Sequence, residues 1–461
     1  MADSASGAAR AGKGVVEVLD NTALDAIRRT RVELIRNGRW KEAELLAGAA
    51  VARAVGAGGP VAGLSPADLA YVPGCPGPGE APPAVREAVF RAVQAANRGA
   101  GRSAAVDAAR QALTSAQALD AATFWQAVTV LVHAGEAALA HRHWACSAHR
   151  HGRDVHDLLG GRIAVLRRAP RTAVRLLDGA LGRGVGPRSR VAAVAWLVLA
   201  LVEAGELGRA HGVAQAERRA GAPAEHPDGA ELHFARGRLL LAEGRAAAAL
   251  EEFLDCGRHI AAWGVANPVV LPWRSAAALA AAGAGDLVLA RICADKDLVA
   301  ARRWGAPRGV GLALHAVALA RGGDDVLLEE AVTCLGKAST ADESLRARHD
   351  LAQLLLARGE AERARGHTRY LREEAGTAAC PQWTRSADEL THRLLRTDGE
   401  SALSGQQRRI ALLARAGRSN REIAAELNLT LRTVEFHLTS VYRKMGVEGR
   451  PGLRRAFVPT A

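Results

Sequence analysis

Three consecutive helix starts lie in residues 404–446, which read SGQQRRIALLARAGRSNREIAAELNLTLRTVEFHLTSVYRKMG. Ser404 and Ser419 each precede a Gln or Glu by three positions, which is the spacing of a capping box. Thr430 predicts the start of a third helix that runs to about Met445. A short helix joined by a tight turn to a longer helix with basic flanks is typical of a helix-turn-helix.

The third helix has two distinct faces. Apolar residues at i, i+4, i+7 and i+11 form one stripe, which predicts the side that packs on a small core. This stripe consists of Val434, Leu438, Val441 and Met445. The opposite side carries Arg432, Glu435, Phe436, Thr439 and Arg443. An exposed Phe on such a face indicates that a binding partner covers it.

This second face has the chemistry of DNA recognition if Leu431–Lys444 enters a major groove. Phe436 can then touch a thymine methyl group, and Glu435 can accept a hydrogen bond from a cytosine amine. Thr439 can reach a base or a phosphate. Phosphate contacts, which position a protein without specifying a sequence, are expected from Arg421, Arg432, Arg443 and Lys444. The alternative is an ordinary solvated face on a three-helix unit that binds protein.

The net charge of the chain is concentrated near this motif. The chain has 461 residues, a formal net charge of +13 and 49% hydrophobic residues, a composition that excludes disordered, collagenous and disulfide-dense classes. Residues 401–461 contain eleven basic and four acidic side chains, a surplus of seven out of the thirteen. Because nearly all basic residues are Arg in an Ala- and Gly-rich chain, GC-rich coding explains part of the total. The local surplus therefore indicates nucleic acid more strongly than the total does.

The same region resembles the LuxR-type DNA-binding domain. The resemblance covers about residues 400–455 and is carried by AGRSNREIA at 416–424, LNLT at 427–430, TVEFHL at 433–438 and VYRKMGV at 441–447. It implies that the third helix reads the major groove of double-stranded promoter DNA. It also implies a homodimer on DNA, with RNA polymerase as a further partner.

Individual residues also take roles from this resemblance. Glu435, Phe436 and Thr439 match base-reading positions of the family, while Arg421, Thr433 and Lys444 match backbone-contacting positions. Two departures from the family pattern stand out. Gln406-Gln407 replaces the usual Arg-Glu pair, and Gly449-Arg450-Pro451-Gly452 begins the last helix, through which the family dimerises. Gly452 is expected to weaken that helix.

Residues 84–396 are predicted to be almost entirely helical, with apolar residues at i, i+3, i+4 and i+7. A signature Gly-x-x-x-x-Ala follows apolar helices at Gly38, Gly135, Gly205, Gly244, Gly285 and Gly359. From Gly205 onward, and including Gly322, these glycines recur about every 37 to 41 residues, a period typical of stacked helix-turn-helix repeats. The pattern resembles tetratricopeptide repeats, with an irregular bundle of Ala-rich helices as the alternative.

The remaining segments complete the predicted domain organisation. Residues 1–16 are expected to be disordered, 17–55 helical, and 56–83 a linker rich in Gly and Pro. Residues 397–461 form the predicted DNA-binding domain. Residues 302–395 resemble the helical region of the large ATP-binding LuxR regulators. The P-loop of those relatives is not expected here, because Gly7–Lys13 is followed by Gly14 and lacks the Mg²⁺-binding hydroxyl.

Other chemistry is weakly indicated. His143, Cys146 and His149 are spaced so that they could cluster on a helix and bind a metal or sense redox state. Polar residues on a repeat helix are the favoured explanation, and no metal site or cofactor is predicted. The six scattered Cys residues and the lack of a long apolar run favour a soluble, cytoplasmic protein. No complete catalytic motif is present, so an enzyme is not expected.

Together these patterns predict an all-α protein: a tetratricopeptide-like repeat region followed by a LuxR-type helix-turn-helix. The expected function is a transcriptional regulator that reads promoter DNA under the control of a helical region sensing a protein or small molecule. The alternative is a repeat scaffold for protein–protein interaction with a secondary basic tail.

Overall fold

The computed structural model describes residues 83–456, except 116–118, 148–149, 168, 186, 220–228, 339–340 and 378–379, together with Thr30 and Val72. In this described part every regular element is a helix, which confirms the predicted all-α class. The predicted segments 1–16 and 17–55, nearly all of 56–83, and the Gly38 repeat signature lie outside these residues.

The chain divides into two compact units, 1–344 and 345–461. The first contains the helices that we call the repeat region. They are α1 Pro83–Arg98, α2 Arg102–Thr114, α3 Ala121–His133, α4 Ala137–Ala145, α5 Arg153–Leu166, α6 Pro170–Gly182, α7 Pro187–Glu203, α8 Leu207–Arg219, α9 Gly229–Ala242, α10 Ala246–Ala262, α11 Trp273–Gly283, α12 Leu287–Trp304, α13 Pro307–Ala320 and α14 Asp325–Ala338.

The next helix, α15 Ala341–Ala357, begins in the first unit and continues into the second. The second unit then contains α16 Ala361–Thr377 and α17 Pro381–Ser401. Four further helices form the segment that we call the head: α18 Gly405–Arg415, α19 Asn420–Glu426, α20 Leu431–Met445 and α21 Gly449–Ala456.

The helix pairs of the repeats are built on the predicted Gly and Ala positions. Gly205 has a φ of +78°, a left-handed conformation that ends α7 and turns the chain into α8. The N–H of Glu206 then donates to the carbonyl of Leu201 at 2.9 Å, as in a Schellman motif. Ala210, five residues after the glycine, is fully buried, so the second helix packs closely on the first.

The same arrangement recurs at the other described copies of the signature. Positive φ values are found at Gly135, Gly244, Gly285 and Gly359, and the alanines five residues later are buried at every copy. This regularity supports stacked repeats and disfavours an irregular bundle.

Contacts between distant parts close the repeat region on itself. The Asn267 side chain donates to the carbonyl of Ala96 at 2.7 Å, and Trp304 Nε1 donates to the carbonyl of His133 at 2.8 Å. Each pair is separated by 171 residues, whereas the repeats of an open solenoid contact only their neighbours. Residues 264–272, which join α10 to α11, carry Asn267 and are largely buried at this closure.

Candidate nucleic-acid interface

The head has a small apolar core of its own. The stripe predicted for the third helix is buried in it, together with Leu403, Ile410, Ala411, Ala414, Ile423, Ala424 and Leu453. Helices α17, α18, α19 and α21 all contact α20, and the buried residues of α20 form a single stripe. This packing presents the opposite side of α20 to solvent.

Side-chain caps fix where these helices begin. The Ser404 and Ser419 hydroxyls accept the N–H groups of Gln407 and Glu422 at 3.2 Å, and both capping boxes are complete, as predicted. The Thr430 hydroxyl accepts the N–H of Thr433 at 3.2 Å and starts α20. The α19–α20 turn contains Asn428 in a left-handed conformation, with a φ of +55°. The result is a short helix, a tight turn and a longer helix.

The three predicted base-reading residues lie together on the solvent side of α20. Phe436 is 70% exposed, which is unusual for an aromatic side chain on a folded domain. Glu435 and Thr439 are exposed next to it. The Thr439 hydroxyl donates to the Glu435 carbonyl at 2.9 Å. Because its proton is used there, Thr439 offers an incoming base an acceptor oxygen and a methyl group.

Three of the predicted phosphate-binding cations lie exposed on the two helices of the helix-turn-helix. Arg432 and Arg443 are exposed on α20, and Arg421 is exposed on α19. None of the three has a hydrogen-bond or ion-pair partner among the described residues. Thr433, the fourth candidate, is half-buried, and its hydroxyl lies 2.7 Å from that of Thr430.

Lys444 has a different setting from these arginines. Its ammonium donates to the carbonyl of Ala402 and to Gln407 Oε1, each at 2.8 Å. Two of its three N–H groups are therefore used inside the molecule, and they tie the end of α20 to the α17–α18 junction.

Gln407 and Arg450 make long-range contacts in the head that the sequence patterns did not predict. Besides its capping role, Gln407 donates to the Ser440 hydroxyl at 3.2 Å, so one carboxamide connects α18 with α20. The Arg450 guanidinium donates to the carbonyl of Arg418 and to the Asn420 side chain. The capping box hinted at Gln407, but nothing in the local sequence of Arg450 indicates its distant partners.

The last helix is formed despite its glycines. Residues Gly449–Ala456 are helical, and a Cβ at Gly452 would come within 3.0 Å of Val447 Cβ, so the glycine permits a close approach. Leu453 is fully buried in the core of the head. Its side chain therefore stabilises the head itself.

The histidine and cysteine pattern near α4 brings no further site together. His143 lies on α4 and Cys146 follows it with an exposed side chain, while His149 lies outside the described residues. Where the chain is described, no group of three or more His, Cys, Asp or Glu residues has the geometry to hold a metal ion. The described helices also include none that is long and apolar enough to cross a membrane.

The capped helices, the tight turn and the exposed basic face define the class of the head, which is a helix-turn-helix domain. Comparison with known proteins gives its family. Residues 401–456 match the GerE family, described as "Bacterial regulatory proteins, luxR family". The C-terminal segment of the chain is therefore a LuxR-family helix-turn-helix domain, as the sequence resemblance predicted.

Two individual proteins are similar to parts of the chain. Over 49 residues, or 11% of this chain, it is 45% identical to the Escherichia coli (strain K12) protein named "Putative HTH-type transcriptional regulator YhjB". The chain covers only 24% of that relative's length. A Rap protein, solved in complex with Competence and Sporulation Factor, matches with a TM-score of 0.52 over 77% of this chain and 98% of its own. At 12% identity this likeness shows a shared helical-repeat fold alone.

Proposed function

We propose that the protein is a sequence-specific transcriptional regulator, and not an enzyme, that reads promoter DNA with α20. The observation that carries the proposal is the solvent face of α20, where Glu435, Phe436 and Thr439 stand exposed on a LuxR-family head. Phe436 covers a thymine methyl group, Glu435 accepts from a cytosine amine, and Thr439 accepts from a base amine or packs its methyl group. Burial of Phe436 against DNA removes its exposed apolar surface from water.

Electrostatics orient the head on the duplex. Arg421, Arg432 and Arg443 bind phosphates, and Thr433 adds a hydroxyl contact. Because these arginines have no partner among the described residues, a phosphate does not have to displace an existing ion pair. Lys444 contributes its remaining N–H to a phosphate while it holds the α17–α18 junction.

The repeat region controls the head in this proposal. It senses a protein or small-molecule effector, the regulator works in the cytoplasm as a homodimer on DNA, and RNA polymerase is its partner at the promoter. Two observations support a sensing role: charged side chains of the repeats line a cavity, and a protein of similar fold has been solved in complex with a factor that it binds.

Selection from random duplexes tests the proposal. The full-length protein is mixed with a library of random double-stranded DNA, bound duplexes are recovered over several rounds, and the enriched sequence is assayed by fluorescence anisotropy. A specific regulator should enrich one motif and bind it at least about a thousand-fold more tightly than scrambled DNA at physiological salt. Enrichment of no motif, with equal affinity for all duplexes, would contradict sequence-specific reading.

A repeat scaffold for protein interaction is the second candidate. It is favoured by an exposed apolar stripe on α12, where Val288, Ile292 and Val299 lie on one face. The DNA selection separates the candidates, because a scaffold with a basic tail binds all duplexes alike.

A further inference from the structure

The repeat region contains a cavity of about 70 Å³ at the place where it closes on itself. Its walls come from α3, α5, α7, α9, residues 269–272, α13 and the start of α15. Four charged side chains on these walls are largely buried: Arg162 is 11% exposed, Glu231 3%, Arg308 16% and Glu343 11%. Buried ion pairs contribute little to stability because desolvation offsets their attraction, so their presence beside a cavity points to recognition.

Arg162 is only loosely held in this group. Its Nη1 donates to Glu231 Oε1 at 3.3 Å, and its Nη2 lies 3.4 Å from His133 Nε2. Both distances are longer than the roughly 2.7–2.9 Å of a good charge-assisted hydrogen bond. The buried Nε has no hydrogen-bond partner. A guanidinium has five N–H donors, and most of those on Arg162 remain unused.

Arg308, another arginine that lines the cavity, shows the opposite situation. Its Nε and Nη2 donate to the two carboxylate oxygens of Glu343 at 2.9 and 2.5 Å, a bidentate pair. Its Nη1 lies 3.4 Å from the carbonyl of Val269. Arg308 is therefore satisfied by the protein, whereas Arg162 has capacity for a ligand.

Two neighbouring side chains orient the Arg162 guanidinium without using up its donors. The guanidinium stacks 4.7 Å from the Trp196 ring, and Trp196 Nε1 donates to Glu231 Oε2 at 3.2 Å. Burial, together with Arg162 and Arg308, lowers the pKa of His133 well below its ordinary value, so its neutral ring can accept from Arg162. Burial also raises the pKa of Glu231, although Arg162 and Arg308 oppose that shift.

The other walls limit the class of ligand. They are mainly apolar and include Val165, Leu199 and Phe234, while Glu203 and Arg238 add two half-buried charges. A carboxylate has one polar end, and a guanidinium fork can satisfy it. The volume holds roughly five to seven water-sized groups, which corresponds to a ligand of about that many non-hydrogen atoms.

We propose that this cavity binds a short aliphatic carboxylate, with the carboxylate on Arg162 and the hydrocarbon end against Val165, Leu199 and Phe234. Such a ligand touches Arg162 on α5 and the wall formed by residues 269–272. Because those residues belong to the segment that closes the repeat region, binding adds contacts at this closure. The site's role as an effector site rests on the proposed function, but ligand binding itself does not.

Calorimetric titration of the full-length protein tests this site. The probes are sodium acetate, propionate, butyrate, valerate and hexanoate at constant ionic strength, with the matching primary amides as neutral controls. We expect saturable binding that is tightest at one chain length and weaker by about tenfold or more for the amide. Arg162→Gln should weaken binding by a similar factor, and Arg209→Gln, which removes an exposed arginine paired with Asp178, should leave it unchanged.

A second variant protects the test against a folding defect. Val165→Phe fills the cavity and keeps every charge, so it should abolish binding while the circular dichroism spectrum stays that of the parent. Binding of no carboxylate, equal binding of the amides, or unchanged binding in both variants would overturn the proposal.

DNA binding is measured on the same samples. If the DNA selection fails while carboxylate binding is observed, only the assignment as a regulator is wrong. If the DNA selection succeeds while no carboxylate binds, only the proposed carboxylate site is wrong.

Discussion

Arginines have opposite surroundings in the repeat region and on the reading face of the head. In the repeats Arg308 is paired with Glu343, and Arg183 is paired with Asp154 and Asp157. Arg421, Arg432 and Arg443 of the head are exposed with no such partner among the described residues. In an Arg-rich chain the pairing of each arginine is therefore more informative than the total charge, because a paired arginine is already neutralised.

The two regions also differ in the size of the side chains that pack their helices together. In the repeats a left-handed glycine ends one helix, and a buried alanine five residues later allows the next to pack closely. In the head, hydroxyl caps at Ser404, Ser419 and Thr430 begin the helices, and a stripe of larger apolar residues holds them together. We therefore expect the repeats to be sensitive to added volume and the head to be sensitive to lost volume.

The largest effect is expected from removing volume in the head. Leu438 is buried in its small core, so Leu438→Ala should cost about 2–5 kcal/mol and unfold the head. Differential scanning calorimetry should show loss of the head transition with the repeat transition unchanged, and DNA binding should disappear. Leu412→Ala, at a position that is 45% exposed, is the matched control and should change little. A joint shift of both transitions would show that the two cores are not separate.

Added volume in the repeats should have the next largest effect. Ala249 is fully buried five residues after Gly244, so Ala249→Leu should destabilise the repeat region by about 1–3 kcal/mol. Ala247→Leu, at an exposed position of the same helix, is the control. Urea unfolding followed by circular dichroism measures both. Equal effects of the two substitutions would contradict the close packing inferred at these alanines.

Acidification should act with opposite signs on the two regions, and this is the smallest effect. Burial raises the pKa of Asp297, which accepts the Ser275 N–H, to about 6. Between the two pKa values the folded state binds more protons than the unfolded state. The repeat region should therefore lose about 1 kcal/mol of stability as the pH rises from 5 to 7, and acidification should stabilise it. In the head, the hydrogen bond from the Ser419 N–H lowers the pKa of Glu422. The stabilising contribution of the Glu422 carboxylate is therefore lost as the pH falls through that lowered value, and acidification should destabilise the head.

Two substitutions test whether Asp297 and Glu422 cause these pH effects. Asp297→Asn should flatten the pH dependence of the repeat transition between pH 5 and pH 7, and Glu422→Gln should reduce the acid sensitivity of the head. Calorimetry at pH 4, 5, 6 and 7 resolves the two. A repeat transition that keeps its full pH dependence in Asp297→Asn would show that another group is responsible.

Features that depend on neighbouring residues could be predicted from the sequence. The three caps, the buried stripe of α20 and the glycine turns are set by local spacing, and the structure contains each of them. Features that depend on distant residues could not be predicted. Arg162 and Glu231 are 69 residues apart, and no periodic pattern announces their contact. The same holds for Lys444 and its acceptor Ala402, so the partial use of that ammonium emerged only from the structure.

The most direct test of DNA reading compares Phe436→Ala/Thr439→Ala with Arg421→Ala on the selected site and on scrambled DNA across a salt series. The double variant should lose affinity for the selected site, by about 1–3 kcal/mol per lost base contact, and should keep its salt slope. Arg421→Ala should weaken both DNAs alike and reduce the salt slope by about one. If both variants change affinity and slope in the same way, the exposed face of α20 does not read sequence.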